Sequence, residues 1–333
     1  AALLRPRTAE PLCRRCFLLR FEAEAQLALR GGPPNSLPPP RGATVVIASS
    51  GGKDSTVLGH LLRRLGAARW RLALLAVDEG IAGYREEALG AVRRNRGGLP
   101  LLLLSHRELY GYGVDDVGGG VTGGAGGGGN WQGVGRGAEM YWRGTGVYWC
   151  VLGASPPGHN ADDLAETVLM NFLRGDVARL RRSATGVDTG ATTATGATGN
   201  PTRATRSSRK GPPLRHAYEK EIVLYAHFLG LDYFSTECSY APHAYRGHAR
   251  TLLKDLEATR ASSVAALGHS GRRLVIDTEV ATKSLGVCGR CGFAASQALC
   301  KACVLLASLE RGLPRVGLGK RGVEMAAGMG GGG

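Results

Sequence analysis

The stretch "ASSGGKDSTVL" (48–58) follows the apolar run "ATVVI" and gathers the residue types that hold a phosphate chain. A strand ending in Ser50, Gly51 and Gly52, with Lys53, Asp54 and Ser55 opening a helix, offers several backbone N–H groups to an anion. The positive end of the helix dipole adds to them. The glycines allow the backbone to approach phosphate closely, Lys53 supplies a point charge, and Ser50 and Ser55 supply hydroxyls. Asp54 cannot bind phosphate directly; a carboxylate there caps the helix or helps to hold Mg²⁺. The spacing is not that of the P-loop G-x-x-x-x-G-K-[ST], because Gly51 and Gly52 are adjacent and Asp54 stands where the Ser/Thr belongs. The plainer reading is a glycine turn capped by Asp54 or Ser55.

The cysteines form the second chemical signal. Cys288-x2-Cys291-x8-Cys300-x2-Cys303 is a pair of knuckles supplying four thiolates for a closed tetrahedral Zn²⁺ site. A redox role would need only one such pair. Cys13 and Cys16 make half of a similar site, and Cys150 and Cys238 stand alone. A lone cysteine is more often a small buried apolar residue. Carboxylates cluster at Asp78 and Glu79, after an apolar run, and in His159, Asn160, Asp162 and Asp163, at a helix start. The first pair reads equally as a solvated strand end, and the second group as capping residues.

Elements that could position these groups alternate along the chain. Strands are predicted at 43–48, 71–80 and 99–105, with helices at 54–65 and 84–94. This is the pattern of a parallel sheet with right-handed crossovers, an α/β fold. A helix at 159–176 has an apolar face of Leu164, Val168, Leu169 and Phe172. Residues 214–257 read as helices joined by short turns. The segments "EKEIVLYAHFLGLDYF" and "AYRGHAR" mix aromatics with His and Arg, which suits stacking and phosphate contacts with RNA; an amphipathic helix with a charged outer face explains them equally well. The expected organisation is a short N-terminal Cys-pair element and linker (1–42), a nucleotide-binding domain (43–260), a Cys₄ element (284–310) and a flexible tail (311–333). Glycine-rich and low-complexity blocks (111–157 and 183–211) interrupt the domain, and neither block has the periodicity of a packed element.

Composition limits the partners. Net charge is +15 over 333 residues, and the pI of about 9.8 points to a polyanion such as nucleic acid. A solvated Arg-rich surface is the alternative. No run of 18 apolar residues is present, so no membrane span is expected. The N-terminal stretch lacks a secretory pattern, and C-x-x-C pairs favour metal ligation in a reducing, cytoplasmic setting.

The loop Ser50–Ser55 resembles the PP-loop of the N-type ATP pyrophosphatases, enzymes that adenylate a substrate and release pyrophosphate. Four further stretches are similar to the tRNA wobble-uridine thiolase branch of that family: "VDEGIAGYREEAL" (77–89), "GHNADDLAETVLMNFLRGD" (158–176), "YEKEIVLYAHFLGLDYFSTECSYAPHAYRGHAR" (218–250) and "CGRCGFAASQALCKAC" (288–303). The resemblance implies a Rossmann-like parallel sheet with small zinc-binding elements at the termini. It implies ATP-dependent 2-thiolation of uridine 34 in cytosolic tRNAs for Lys, Glu and Gln, with ATP contacts from Ser50–Ser55, Asp78, Glu79, His159 and Asn160. Lys53, Asp54 and one of Asp162 and Asp163 would be essential. It further implies ATP, Mg²⁺ and Zn²⁺, a paralogous second subunit, and a ubiquitin-related carrier bearing a thiocarboxylate. A second N-terminal knuckle is expected upstream of Ala1. Cys238 with a middle C-x-x-C pair would carry sulfur or hold an iron–sulfur cluster with one iron open. Here the chain departs from the pattern: Val147 stands where Cys150 should have its partner, and "VLGASPP" replaces a basic helix and strand. Two other readings stay open, a different PP-loop ligase resembling lysidine synthetase and a catalytically impaired tRNA-binding scaffold.

Overall fold

The computed structural model describes residues 2–30, 41–118, 150–152, 160–177, 179–180, 213–236, 244–274, 286–292 and 294–310. His159, Cys238, the tail and most of both low-complexity blocks lie outside these residues. Four parallel strands form the central sheet: β3 (Thr44–Ala48), β4 (Arg71–Asp78), β5 (Leu101–Ser105) and β6 (Cys150–Leu152), in the order β5-β4-β3-β6. Ahead of them come β1 (Ala2–Leu4) and β2 (Pro11–Cys13), an antiparallel pair, and α1 (Arg14–Arg30). The chain steps outward from β3 to β5 through α2 (Lys53–Gly66) and α3 (Arg85–Asn95), then returns to place β6 on the other side of β3. The strand order therefore reverses at β3, and ligands of open α/β sheets bind at the carboxyl edge beside such a reversal.

β3 is buried on both faces, with Val45, Val46 and Ile47 at most 2% exposed. This accounts for its unbroken apolar run where a half-exposed strand would alternate. Val57, Leu58, Leu61 and Leu62 bury one side of α2 in the same core as Phe17 and Phe21 of α1 and Ile222 and Tyr225 of α7 (Glu219–Leu229). A second cluster joins Ala161 and Ala165 of α6 (Ala161–Leu173) to Tyr218, Leu253 of α8 (Tyr245–Thr259) and Val264 of α9 (Ser263–Arg273). The C-terminal element comprises the hairpin β7 (Gly286–Val287) and β8 (Ala294–Ala295), followed by α10 (Lys301–Glu310).

Several expectations are corrected. Of the expected face Val168 is buried, Leu164 and Leu169 are half-buried and Phe172 is exposed; α6 also buries Ala161 and Ala165 together with Asp162 and Glu166. Acidic side chains belong to the inner side of this helix because cations of α8 meet them there, which hydropathy does not report. Of the aromatics expected to meet RNA, Tyr225 is fully buried and stacks on Phe21 at 4.6 Å, and Phe228 and Tyr233 pack against the same core, whereas Tyr245 of "AYRGHAR" is exposed. Helices α4 (His106–Tyr110) and α5 (Val114–Gly118) extend order into the start of the glycine-rich block. They are fastened there by Arg107 to Asp116 and by the Ala82 N–H to Asp115.

The N-terminal hairpin is tied to α7 by a buried ion pair. Arg5 is 1% exposed and donates from Nε to Glu221 (2.6 Å) and from both Nη atoms to Glu24 (2.9 and 2.8 Å). Removing one partner from such a pair leaves a buried charge uncompensated, which costs about 3–5 kcal/mol. Arg5→Ala is therefore expected to lower stability by that amount, read as a drop in denaturant midpoint. Arg5→Lys should recover only part of it, since the ammonium cannot reproduce the fork to two carboxylates.

Candidate active site

The loop between β3 and α2 owes its shape to two glycines with different tasks. Gly51 sits at φ +80°, and a methyl there would lie 2.3 Å from the carbonyl oxygen of Ala88 on α3. Its own carbonyl accepts from the Phe234 N–H at 2.9 Å. Gly51 is therefore required by its protein neighbours rather than by phosphate. Gly52 has an ordinary φ of −76°, and a methyl there would meet nothing closer than Ser50 Oγ at 3.4 Å. Close approach of a ligand is the constraint left for it. Ser55 donates to the Gly52 carbonyl (3.0 Å) and accepts from the Ser50 N–H (3.2 Å), with Ser50 Oγ 3.3 Å away, so the two serines organise the turn.

No side chain caps α2, and Asp54 does not act as its cap. Helix α6 contrasts with it: Asn160 accepts from the Asp163 N–H while Asp163 accepts from the Asn160 N–H, a closed capping box. The first-turn N–H groups of α2 are thus left for an anion, whereas those of α6 are partly used.

A charged network surrounds this helix start. Lys53 Nζ lies 3.3 Å from Asp54 and 3.0 Å from Glu219. Glu219 also meets Lys254 (3.0 Å), and Lys254 donates to Asp162 (2.7 Å). Asp162 accepts the Glu219 N–H at 2.8 Å, which leaves it bonded on both oxygens. Asn160 donates to Asp54 at 3.1 Å and so joins the loop to α6. Arg246 and Arg250 of α8 each meet Glu166 at 2.9 Å, and Arg246 lies 3.9 Å from Asp163.

The electrostatics separate the two aspartates that the sequence leaves equivalent. Burial, then the charges of Asp54 and Glu166, push the Asp163 carboxyl up to about 6, against the pull of Asn160 and Arg246. Burial also works against the charge on Glu219, but Lys53 and Lys254 overcome it and hold Glu219 at about 2. Lys53 is likewise opposed by burial, yet Asp54 and Glu219 keep its ammonium above the usual lysine range. Asp162 is engaged by Lys254 and Glu219, while Asp163 is a strained carboxylate beside Asp54.

Other expected residues lie apart from this network. Asp78 is buried at the end of β4, accepting from the Gly80 N–H (3.0 Å) and pairing with Arg85 (3.2 Å). Among the described residues no ion pair or hydrogen bond links Asp78 or Glu79 to Lys53. Cys150 opens β6 opposite Val45, within the body of the sheet rather than at its carboxyl edge. Glu166, Glu219 and Lys254 were not singled out from sequence as site residues, and Arg246 and Arg250, expected in "AYRGHAR" to meet RNA phosphates, pair with Glu166. Their one sequence trace is the i, i+4 spacing of Arg246, Arg250 and Lys254 along a helix face.

In the C-terminal element the four Sγ atoms of Cys288, Cys291, Cys300 and Cys303 lie within 4.8 Å of one another, and those of Cys291 and Cys300 are 3.7 Å apart. Tetrahedral Zn–S bonds of about 2.3 Å place sulfurs about 3.8 Å apart, so the site fits zinc. Although burial opposes it, N–H groups from Cys291, Cys300 and Arg290 lower the Cys288 thiol to about 6. Cys13 and Cys16 are exposed and supply two thiolates.

A zinc-ribbon family profile matches residues 286–317. Cytoplasmic tRNA 2-thiolation protein 1 of Xenopus laevis is 47% identical over 331 residues, covering 96% of this chain and 89% of the relative. The chain belongs to the cytoplasmic tRNA 2-thiolation protein 1 family. The family member from Anopheles gambiae is 45% identical with the same coverage. Among solved structures, the U34-tRNA thiolase NcsA from Methanococcus maripaludis, with its [4Fe-4S] cluster, superposes with a TM-score of 0.62 at 21% identity, over 90% of this chain and 91% of that one. That likeness shows that the two chains share one α/β fold.

Two outcomes follow for this family's loop and its acidic neighbour. Gly51→Ala is expected to lose about 1–3 kcal/mol, because a left-handed backbone and a carbonyl clash both oppose the methyl. Gly52→Ala should keep near-native stability and lose ATP affinity, as thermal melting and nucleotide titration will separate. Asp163 has a folded-state value raised from 3.8 to about 6, so its stabilising contribution is present below about pH 4 and lost as pH rises through 6. Asp163→Asn should therefore match the parent below about pH 4 and melt a few degrees higher above about pH 6, followed by calorimetry across that range.

Proposed function

We propose that this chain thiolates the wobble uridine of cytoplasmic tRNA at its 2 position, using ATP to activate the base. The observation that carries the reading is the uncapped start of α2, with Lys53 at its mouth, in a chain of this family. Uracil C2=O is a poor electrophile. Its oxygen attacks the α-phosphorus of ATP, the bond to the bridging oxygen breaks, and pyrophosphate leaves with the electron pair. The oxygen on C2 is then part of a leaving group; a sulfur nucleophile adds at C2 and AMP departs.

The chain's own groups are arranged for the first half of this sequence. The free N–H groups of the first turn of α2 hold the departing pyrophosphate, and Lys53 balances its charge. Asp162 spends both oxygens on Lys254 and Glu219, which leaves Asp163 as the essential carboxylate of the pair. Burial and then the charge of Asp54 raise the Asp163 carboxyl, which supports reading the two as neighbouring carboxylates able to share a cation. They would hold Mg²⁺, which would neutralise charge building on the phosphates. Asp78 and Glu79, at the same edge of the sheet, are placed for ribose or adenine.

For the sulfur half, Cys150 and Cys238 supply two thiolates outside the zinc-type pairs. A cluster with one open iron takes three, so the donor set in this chain does not fit that group, and no step is routed through it. Sulfur is supplied by a thiocarboxylated ubiquitin-related carrier, with a paralogous second subunit as partner. The net charge of +15 suits the tRNA polyanion. Cytoplasmic action agrees with the names of the relatives, and among the described residues no helix is long and apolar enough to cross a membrane.

Lys53→Ala should abolish both tRNA-dependent pyrophosphate release and 2-thiouridine, with the fold intact. Thiolation at the parental level in a strain carrying only Lys53→Ala would sink the proposal. Pyrophosphate release that requires free lysine instead of a sulfur donor would assign the chain to ligase chemistry.

A further inference from the structure

At the far end of α2 lies a second concentration of positive charge, unconnected with the Lys53 network. Arg63 and Arg64 close the helix, Arg69 and Arg71 flank Trp70 in the turn to β4, and Arg96 follows α3. Residues 55–77 and 88–107 contain no Asp or Glu. Arg64 meets Glu22 at 2.9 Å; Arg63, Arg69, Arg71 and Arg96 have no carboxylate partner among the described residues. Arg63 lies across the α3–β5 turn, donating to the Asn95 carbonyl at 3.4 Å, and so brings the two arginine groups together.

A pocket of about 540 Å³ opens among these arginines, lined by His60, Arg63, Arg64, Trp70, Leu72 and Leu99. Trp70 is pressed onto Gly66, where a methyl would come within 2.6 Å of its ring, and the Arg69 guanidinium lies 5.9 Å from the ring centre. His60 Nε2 is buried and has no hydrogen-bond partner among the described residues. Burial, with Arg63 and Arg64 beside it, holds this imidazole below the usual histidine range, so at neutral pH one ring nitrogen is a donor and the other an acceptor. Apolar and aromatic walls with cations at the mouth together suit a planar ligand that carries negative charge.

We propose that this pocket and its arginine rim bind an unpaired nucleotide of the tRNA substrate, remote from the reacting uridine, with the base in the pocket and flanking phosphates on the arginines. The inference rests on the thiolation reading for its choice of RNA. The pocket lining at the end of α2 runs from His60 to Ala67, roughly 10–20 Å beyond Lys53 at 1.5 Å per residue, so one base cannot occupy both places. Charge extending past the pocket to Arg71 and Arg96 fits a phosphate chain better than a free mononucleotide. The patch thereby positions the tRNA body and takes no part in the chemistry.

The test is equilibrium binding of unmodified tRNA to the full chain over a salt series. Arg63→Gln/Arg69→Gln/Arg96→Gln is expected to weaken binding about tenfold or more and to flatten the logarithmic salt dependence by about two. Leu99→Trp fills the pocket without changing charge, and should weaken binding several-fold at an unchanged salt slope. Both variants should raise KM for tRNA while kcat at saturating tRNA and the melting temperature stay at parental values. Parental affinity and salt slope in both variants would overturn the proposal. So would intact tRNA binding with loss of an acidic protein partner, which would assign the face to protein. If the parent chain thiolates tRNA while the variants bind like it, the patch alone is refuted; if the parent thiolates no tRNA, the thiolation reading falls and the patch proposal with it.

Discussion

The carboxylate of Glu219 lies between two lysines, and most of the catalytic edge is arranged around that fact. One oxygen meets Lys53 and the other Lys254, so the first residue of α7 fixes the loop lysine and an α8 lysine at once. Asp162 takes the backbone N–H of Glu219 and the ammonium of Lys254, which closes the arrangement from α6. Elements far apart in sequence are thus registered by charge as well as by the apolar contacts behind it. In a half-buried setting such pairs are stronger than in water, and they add to packing in fixing the mutual positions of these helices.

This arrangement divides labour among side chains of one type. Two neighbouring aspartates on α6 have different fates because one faces lysine and the other faces carboxylates. Asp162 is a strut; burial and the charges of Asp54 and Glu166 raise the Asp163 carboxyl to about 6. Asn160 carries a neutral link from α6 to Asp54 without adding charge to a crowded edge. The same economy appears in the loop, where Gly51 answers to α3 and Gly52 is left to the ligand.

Much of the scaffold was legible in the chain. The apolar run of β3 and the periodicities of α2 and α3 are local signals, and they locate the loop at a strand end and a helix start. The knuckles of Cys288–Cys303 are equally local, and their sulfurs converge as the spacing requires. What escaped were features that depend on partners distant in sequence. Nothing near Glu219 marks it as the counter-charge of Lys53, since the residues are brought together only by the packing of α7 against α2. Hydropathy placed Phe172 inside and gave no hint of buried Glu166, because it cannot see Arg246 and Arg250 across the interface. Tyr225 and Phe228 looked like a platform for bases because the composition of their segment is the same whether they face solvent or core.

The buried pair between Arg5 and Glu221 bears on how deletions in this chain are to be interpreted. Glu221 stands two residues after Glu219 on α7, and it also closes the capping box at Tyr218. The N-terminal hairpin carrying Cys13 is therefore clamped to the very turn that presents Glu219 to Lys53. Cutting the chain back past Cys16 removes a thiolate pair and, because Arg5 goes with it, also loosens the support of the loop lysine. Loss of activity in such a truncation would not by itself implicate a metal, whereas serine replacements at Cys13 and Cys16, which leave Arg5 in place, would keep the two causes apart.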